Sequence, residues 1–465
     1  MGRILGHYIL PHPPIIVPEV GMGNQHVAFR TSSSMKMIAK EISALNPDNI
    51  VVISPHGPNF IDGISIMDSY FIQGDFEEFG SELSMEKEIN KKLVKELKYR
   101  CEETIIPLIS IDHSNAELYN IEYKLDHGTM VPLYFIDKFM ENYKLTSITY
   151  GGISKLHHYK FGMILKESLS NIPGDFVIIS SGDLSHKLIE DSPYGYDSSG
   201  EKFDRDLIDN LAAGNWEDII FMNDDLVTNA CQCALKSIIL LLGTLDEFDF
   251  KSDIISYEHP FGVGYCISRI NIINNCESKY TKLERSFERR FLSMTKKESF
   301  QVNLAREAIN NFIKYENYID IPSNTPKELL WNKKGVFVSL KIEGNLRGCI
   351  GTLTPTCDTT CEEIIRNAIE ACSHDPRFTP VYEEELSLLT ISVDILDNPE
   401  ICSKEDLDPQ KYGIIVSTES KKAVLLPNLQ GINTVEEQLS TVLKKAGISP
   451  NEEYSIERFE VKRYL

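Results

Sequence analysis

The chain is poor in positive charge and in long apolar runs, and each shortage excludes something. Lys and Arg number 47 against 69 Asp and Glu, for a net charge of −22. Nucleic acid and anionic membrane are themselves polyanions, so neither is expected as a partner. The longest apolar run, Ile238 to Leu242, is far too short to cross a bilayer. At the start, Arg3 is followed only by Ile4 and Leu5 before Gly6 and His7, which is not the pattern of a signal peptide. The 10 cysteines lack the spacing of a disulfide framework and fit a reducing compartment, so a cytoplasmic location is expected. Two close cysteine pairs occur, Cys231-Gln232-Cys233 and Cys357 with Cys361. The next cysteine that an iron–sulfur cluster would need is missing, because position 364 is Ile364. Both pairs therefore read as small buried hydrophobes or helix-surface thiols.

What is present is a globular composition, 42% hydrophobic and 25% charged over 465 residues. That length suits about two or three domains. In the first part, β-branched runs such as Ile50 to Ile53 and Val177 to Ile179 alternate with amphipathic stretches such as Ser32 to Leu45, Glu86 to Tyr99 and Lys160 to Leu169. This order predicts an α/β domain, a mixed sheet flanked by helices, over residues 1–275. Residues 276–297 carry seven Lys or Arg against three Glu and little periodic hydrophobicity, which predicts a linker, partly helical. From 298 to 465, a helix near Ala305 to Ile313, a hairpin turning at Gly344-Asn345 and further short strands predict a smaller α+β domain.

Four histidines stand beside Gly or Pro at the ends of predicted strands or in turns: His12, His56, His127 and His186. In open α/β sheets, ligands gather beyond the carboxyl ends of strands. Glu258 follows an apolar stretch and precedes His259-Pro260, and is the best anionic candidate to join them. Two imidazoles and one carboxylate make the facial triad of non-haem Fe(II), so His12, His56 and Glu258 form the expected metal set, with His259 as substitute for Glu258. His127 and His186 then remain for acid–base work near neutral pH.

Leu10-Pro11-His12-Pro13-Pro14, Ser54-Pro55-His56-Gly57, Asp126-His127-Gly128 with Val131-Pro132-Leu133, and Ser181-Gly182-Asp183-Leu184-Ser185-His186 resemble the LigB-type catalytic subunit of class III extradiol ring-cleavage dioxygenases, related to Memo-like proteins. The resemblance spans residues 4 to 272. It implies an oxidoreductase with Fe(II), or another divalent metal, on His12, His56 and Glu258. It also implies a catalytic acid–base at His186, a substrate contact at His127 and a small catechol-type aromatic as substrate. In Memo-like relatives the ligand matching Glu258 can differ.

In the second domain, Asn345-Leu346-Arg347-Gly348-Cys349-Ile350-Gly351-Thr352 sets a cysteine beside an arginine and between glycines. A cationic neighbour can lower a thiol pKa, but glycines also permit a tight bulge with the cysteine simply packed, and the residues alone favour packing. This stretch, with Asp375-Pro376-Arg377-Phe378 and Leu425-Leu426-Pro427, resembles the signature of the AMMECR family over residues 298 to 465. That resemblance implies one site lined by Arg347, Cys349, His374 and Arg377. The two families joined in one chain resemble proteins of the AmmeMemoRadiSam system. That implies a radical-SAM protein as partner, and offers as alternative function a metal-binding component of a redox or modification system that is not a dioxygenase. A homo-oligomer is compatible with either function.

Overall fold

The computed structural model describes every residue except 105, 193 and 430, and the side chain of Gln25. The chain divides into two units, Met1–Ser286 and Phe287–Leu465. The charged stretch 276–297 contains the helix Tyr280–Thr295, which buries Leu283 and Ser286. Among the described residues, no helix is long and apolar enough to cross a membrane.

In the first unit the strands are β1 (Gly2–Leu10), β2 (Asn49–Ser54), β3 (Ile64–Met67), β4 (Phe71–Asp75), β5 (Ser84–Glu88), β6 (Leu108–Ile111), β7 (Lys144–Thr149), β8 (Gly174–Ser181), β9 (Phe248–Glu258) and β10 (Tyr265–Asn275). Eight of them form one mixed sheet in the order β6-β3-β7-β2-β8-β1-β10-β9. Its centre is parallel: β8 pairs with β1 on one side and β2 on the other, with Leu10 opposite Ser181 and Ile53 opposite Ser180. Ile50, Val51, Val52 and Ile53 are fully buried. A strand covered on both faces needs this continuous β-branched run, and each such side chain contributes about 1.5–3 kcal/mol on burial.

Strands β4 and β5 form a separate two-stranded ribbon. The stretch from Glu86, read above as helical, therefore begins in a strand, and the helix covers Lys91–Thr104. Burial alternates along this strand, with Met85 and Lys87 turned inward and Ser84, Glu86 and Glu88 exposed, so the ribbon's period of two holds before the helical period begins.

The second unit contains β11 (Val336–Ile342), β12 (Asn345–Thr352), β13 (Leu389–Leu396), β14 (Glu400–Ile401), β15 (Tyr412–Ser417), β16 (Lys422–Leu425) and β17 (Ser455–Tyr464). They form an antiparallel sheet in the order β12-β11-β13-β17-β15-β16, with β14 on β17. Val336, Val338 and Leu340 face a core shared with the helices Phe300–Tyr315 and Thr360–Ser373, while Ile414, Val416 and Leu443 belong to a second core under the helix Val435–Ala446.

Candidate metal centre

The parallel trio β1, β8 and β2 brings its carboxyl ends to one edge of the sheet, and His12, His186 and His56 lie just beyond them. His12 Nε2 and His56 Nε2 are 3.1 Å apart, and Cys233 Sγ lies 3.6 Å from His12 Nε2. The three ligand atoms lie within 4.8 Å of one another. An ion held tetrahedrally at about 2.0–2.1 Å from nitrogen and 2.3 Å from sulfur requires N···N of about 3.3 Å and N···S of about 3.5 Å. The two edges that meet at His12 Nε2 fit that requirement.

The hydrogen bonds decide which nitrogens are free. Ser181 Oγ donates to the Gly128 carbonyl at 2.6 Å, so it must accept from His12 Nδ1–H at 2.9 Å. His12 Nε2 is then left with its lone pair. The Gly128 carbonyl is available because Pro132, four residues on in the helix His127–Asp137, has no N–H to offer it. Gly128 also has no room for a side chain, since a Cβ would stand 2.4 Å from Ser54 Oγ. The segment at His127 is thus the first turn of a helix, not a loop. Asp126 caps it by accepting from Thr129 N at 3.0 Å, and the same carboxylate accepts from the Ser54 hydroxyl at the end of β2.

His186 Nδ1 bonds the Cys231 carbonyl at 2.5 Å. A carbonyl can only accept, so Nδ1 carries the proton and Nε2 is a base. Cys231 adopts a left-handed φ of 53°, a conformation uncommon outside glycine. Cys233 is held by four bonds: its N–H and its thiol donate to Asp183 O at 3.2 and 3.5 Å, its sulfur accepts from Asp183 N at 3.2 Å, and its carbonyl accepts from Tyr150 Oη at 2.9 Å. Gly182 lets this loop approach, as a Cβ there would meet Ala234 Cα at 2.4 Å.

Burial sets the protonation of the cluster. It depresses His12 far below the ordinary imidazole range, assisted by the charges of His56, His127 and His186. His56 falls to about 4, chiefly through burial, and burial lowers His127 and His186 as well. The imidazoles are therefore neutral at pH 7, as ligands and bases must be. Burial raises the Cys233 thiol, so a bound cation would have to displace its proton. His127 stacks on His56 with centroids 4.2 Å apart, Phe79 meets His127 edge-on at 5.3 Å, and Tyr194 meets His186 edge-on at 5.6 Å.

Glu258, expected as the third ligand, is not in this group. Its Oε1 accepts from Thr31 N and Thr31 Oγ1, both at 2.6 Å, in the first turn of the helix Phe29–Leu45. It ends β9, the outermost strand, with β10 between β9 and β1. The helix N-terminus satisfies the carboxylate there. His259 is likewise outside the group, beside Glu258 in a shallow surface groove. The candidate ligand that the sequence reading set aside is Cys233, whose signal was the Cys231-Gln232-Cys233 pair. Asp183 was overlooked as well. Its Oδ1 accepts the His12 N–H at 2.9 Å, its Oδ2 lies 4.0 Å from His12 Nε2, and burial raises its carboxyl to about 7.

The family model for the catalytic LigB subunit of aromatic ring-opening dioxygenase matches residues 6–268. The chain belongs to the LigB family. Its LigB unit is followed by a match to the AMMECR1 family over residues 302–464. A Clostridium acetobutylicum protein is 45% identical over 461 residues, which cover 99% of this chain and 98% of that protein, so the alignment runs through both units. A Thermotoga maritima protein is 43% identical over 166 residues, covering 35% of this chain and 95% of its own length. The crystal structure of an uncharacterised Pyrococcus horikoshii protein matches 35% of this chain and 88% of its own, with 34% identity and a TM-score of 0.33.

The AMMECR1 unit does not assemble its four expected residues into one site. Arg347 is 7% exposed and fully engaged, with Glu385 Oε1 and Oε2 at 2.7 and 2.9 Å and the Thr379 and Pro380 carbonyls at 2.7 and 3.1 Å. The register of β12 slips here, with Leu340 opposite Gly348 but Lys341 opposite Leu346. Arg347 is the extra residue of this bulge, which breaks the alternation that would align it with Cys349. His374 is largely exposed at the end of the helix Thr360–Ser373, beside Ser373 and Glu370. Only Arg377 stays with Cys349, donating from Nη2 to its carbonyl at 2.9 Å.

Proposed function

We propose that the LigB unit is a metal-dependent oxidoreductase that holds its ion on His12, His56 and Cys233 and acts on a small catechol-type aromatic. The observation that supports this most is the pair of Nε2 atoms 3.1 Å apart, one of them left unprotonated by Ser181. Iron(II) is the proposed ion, and other divalent ions suit the same set. When bound, it would supply charge stabilisation and hold a chelating diol beside a second small reactant. The chain's own groups do the rest. His186 Nε2 accepts a proton from the diol, a role worth about 10²–10⁴-fold. His127 offers a ring nitrogen above His56, and Phe79 and Tyr194 give the bound ring apolar walls. A cytosolic setting suits the ten cysteines, all free.

Cys233 favours a second reading. A thiolate in place of a carboxylate softens the site and suits zinc or copper(I) as well as iron. The unit would then be a metal-binding component that does not use dioxygen, within an AmmeMemoRadiSam-type redox or modification system with a radical-SAM partner. The AMMECR1 unit in the same chain supports that association.

A panel of catechols given to anaerobically purified, metal-analysed protein, with and without dioxygen, separates the two readings. The first expects oxygen-dependent appearance of the ring-opened chromophore and its loss in His186→Gln. Metal without ring opening, together with co-purification of a radical-SAM protein, would transfer the assignment to the second.

A further inference from the structure

The helix Ser198–Ala213 buries a carboxyl group that the metal centre does not use. Asp204 is 1% exposed, and burial raises its carboxyl to about 6. Among the described residues its hydrogen-bond partners are both neutral. The Ser185 N–H donates to Oδ1 at 2.8 Å, and the Tyr257 hydroxyl donates to Oδ2 at 2.6 Å. An acid held in the interior without a cation costs stability. An apolar side chain would avoid that cost, so Asp204 calls for a role beyond packing.

The first partner leads to His186. Ser185 precedes it directly, and the two are docked together on the segment Ala230-Cys231. Ser185 Oγ and His186 N donate to Ala230 O at 3.0 and 3.1 Å, and His186 Nδ1 donates to Cys231 O at 2.5 Å. On the other side, Gly264 N donates to Ser185 O at 2.8 Å. The Ser185 N–H goes to Asp204, so all the polar groups of Ser185 are tied down. The helix presses close at this point. Gly200, one turn before Asp204 on the same face, has no room for a side chain, since a Cβ would stand 2.4 Å from Ser185 Oγ. A Cβ on Gly264 would stand 2.2 Å from Asp204 Oδ2. The second partner, Tyr257 on β9, fixes the other carboxyl oxygen to the sheet. A shift of Ser185 would carry the His186 ring off the Cys231 carbonyl, and either ring nitrogen could then hold the proton.

We propose that Asp204 is the positioning residue of His186. Acting through Ser185, it holds the imidazole on the Cys231 carbonyl, so that Nε2 stays free to accept the substrate proton. The inference rests on the reading of His186 as the base.

Nitrogen–proton correlation spectra of the metal-free full chain carrying labelled histidine report the tautomer of each ring without turnover. The wild type should show His186 with its proton on Nδ1, identified by loss of that signal in His186→Gln. Asp204→Ala should average the two tautomers of His186. His158, whose Nδ1 also bonds a carbonyl, Ser154 O at 2.9 Å, should keep its signal and so report an intact fold. Asp204→Asn keeps an acceptor for the Ser185 N–H and should restore the wild-type signal. In the catechol assay, kcat should fall about tenfold or more in Asp204→Ala with KM and metal content unchanged, since a misplacement of about 1 Å can cost about 10²-fold. Tyr257→Phe frees Oδ2 and should broaden the His186 signal, which decides the matter if Asp204→Ala does not fold. A His186 signal unchanged in both variants overturns the proposal, as does a disturbance in Asp204→Asn equal to that in Asp204→Ala. A disturbed tautomer in a protein whose ring opening survives His186→Gln would refute the base reading and leave the positioning role standing.

Discussion

Ser181 acts on the candidate metal centre through one proton. Its own hydroxyl hydrogen goes to the Gly128 carbonyl, so His12 must donate from Nδ1 and present Nε2 bare. Ser181→Ala leaves every proposed ligand in place, yet metal affinity should fall about 10–100-fold, the usual cost of losing such an outer partner. Competition against a chromophoric chelator reads this directly, and unchanged affinity would show that Ser181 does not set the His12 tautomer. At this scale the sequence was partly legible. His12, His56 and His186 follow strand ends and stand next to Pro, Gly or Asp-Leu-Ser breaks, so their meeting at one edge was readable. Cys233 was not, because it reaches the site through packing of its loop on Gly182, a contact with no periodic signature. The placement of Glu258 apart from the cluster was not readable, because a carboxylate at a strand end looks the same in the sequence whether its strand is central or outermost.

The helix His127–Asp137 shows how an element positions a side chain. Asp126 caps it and ties it to Ser54 at the end of β2, so one carboxylate sets His127 and the loop carrying His56 together. Asp126→Ala should cost about 0.5–2 kcal/mol from the lost cap, seen as a lower urea midpoint, and it should also weaken metal binding although Asp126 is no ligand. A stability loss with metal binding untouched would separate the cap from the site. Pro132 obscured this helix in the sequence, because proline usually signals a break. Here the missing N–H falls opposite Gly128, whose carbonyl has another donor. The bulge at Arg347 was hidden for a related reason: strict alternation places residues 347 and 349 on one face, and one extra residue reverses that. The α/β and α+β classes were readable because the alternation of buried strands with amphipathic helices is a long-range pattern that single residues do not disturb.

At the scale of the whole molecule, stability should depend on both metal and pH. An ion that binds only the native LigB unit adds about 2.7 kcal/mol at a hundred times its Kd. Addition of EDTA should therefore lower a thermal transition of the wild-type protein, and the shift should vanish in Cys233→Ser; an equal shift in that variant would place the ion elsewhere. In the AMMECR1 unit, hydrogen bonding to Arg377 is the main cause that lowers Asp375 from 3.8 to about 2. The native state thus binds fewer protons than the unfolded chain in that interval. The stabilisation is complete above pH 3.8 and is lost as pH falls through about 2. Arg377→Gln should flatten this part of the acid-unfolding curve, and an unaltered curve would assign the acid sensitivity to other carboxylates. The most direct test of the metal centre is the metal content per chain of anaerobically purified protein beside His12→Ala, His56→Ala, Cys233→Ala and Glu258→Ala. The account expects one ion per chain in the wild type, its loss in each of the first three variants and its retention in Glu258→Ala. Metal that persists in Cys233→Ala and disappears in Glu258→Ala would contradict it.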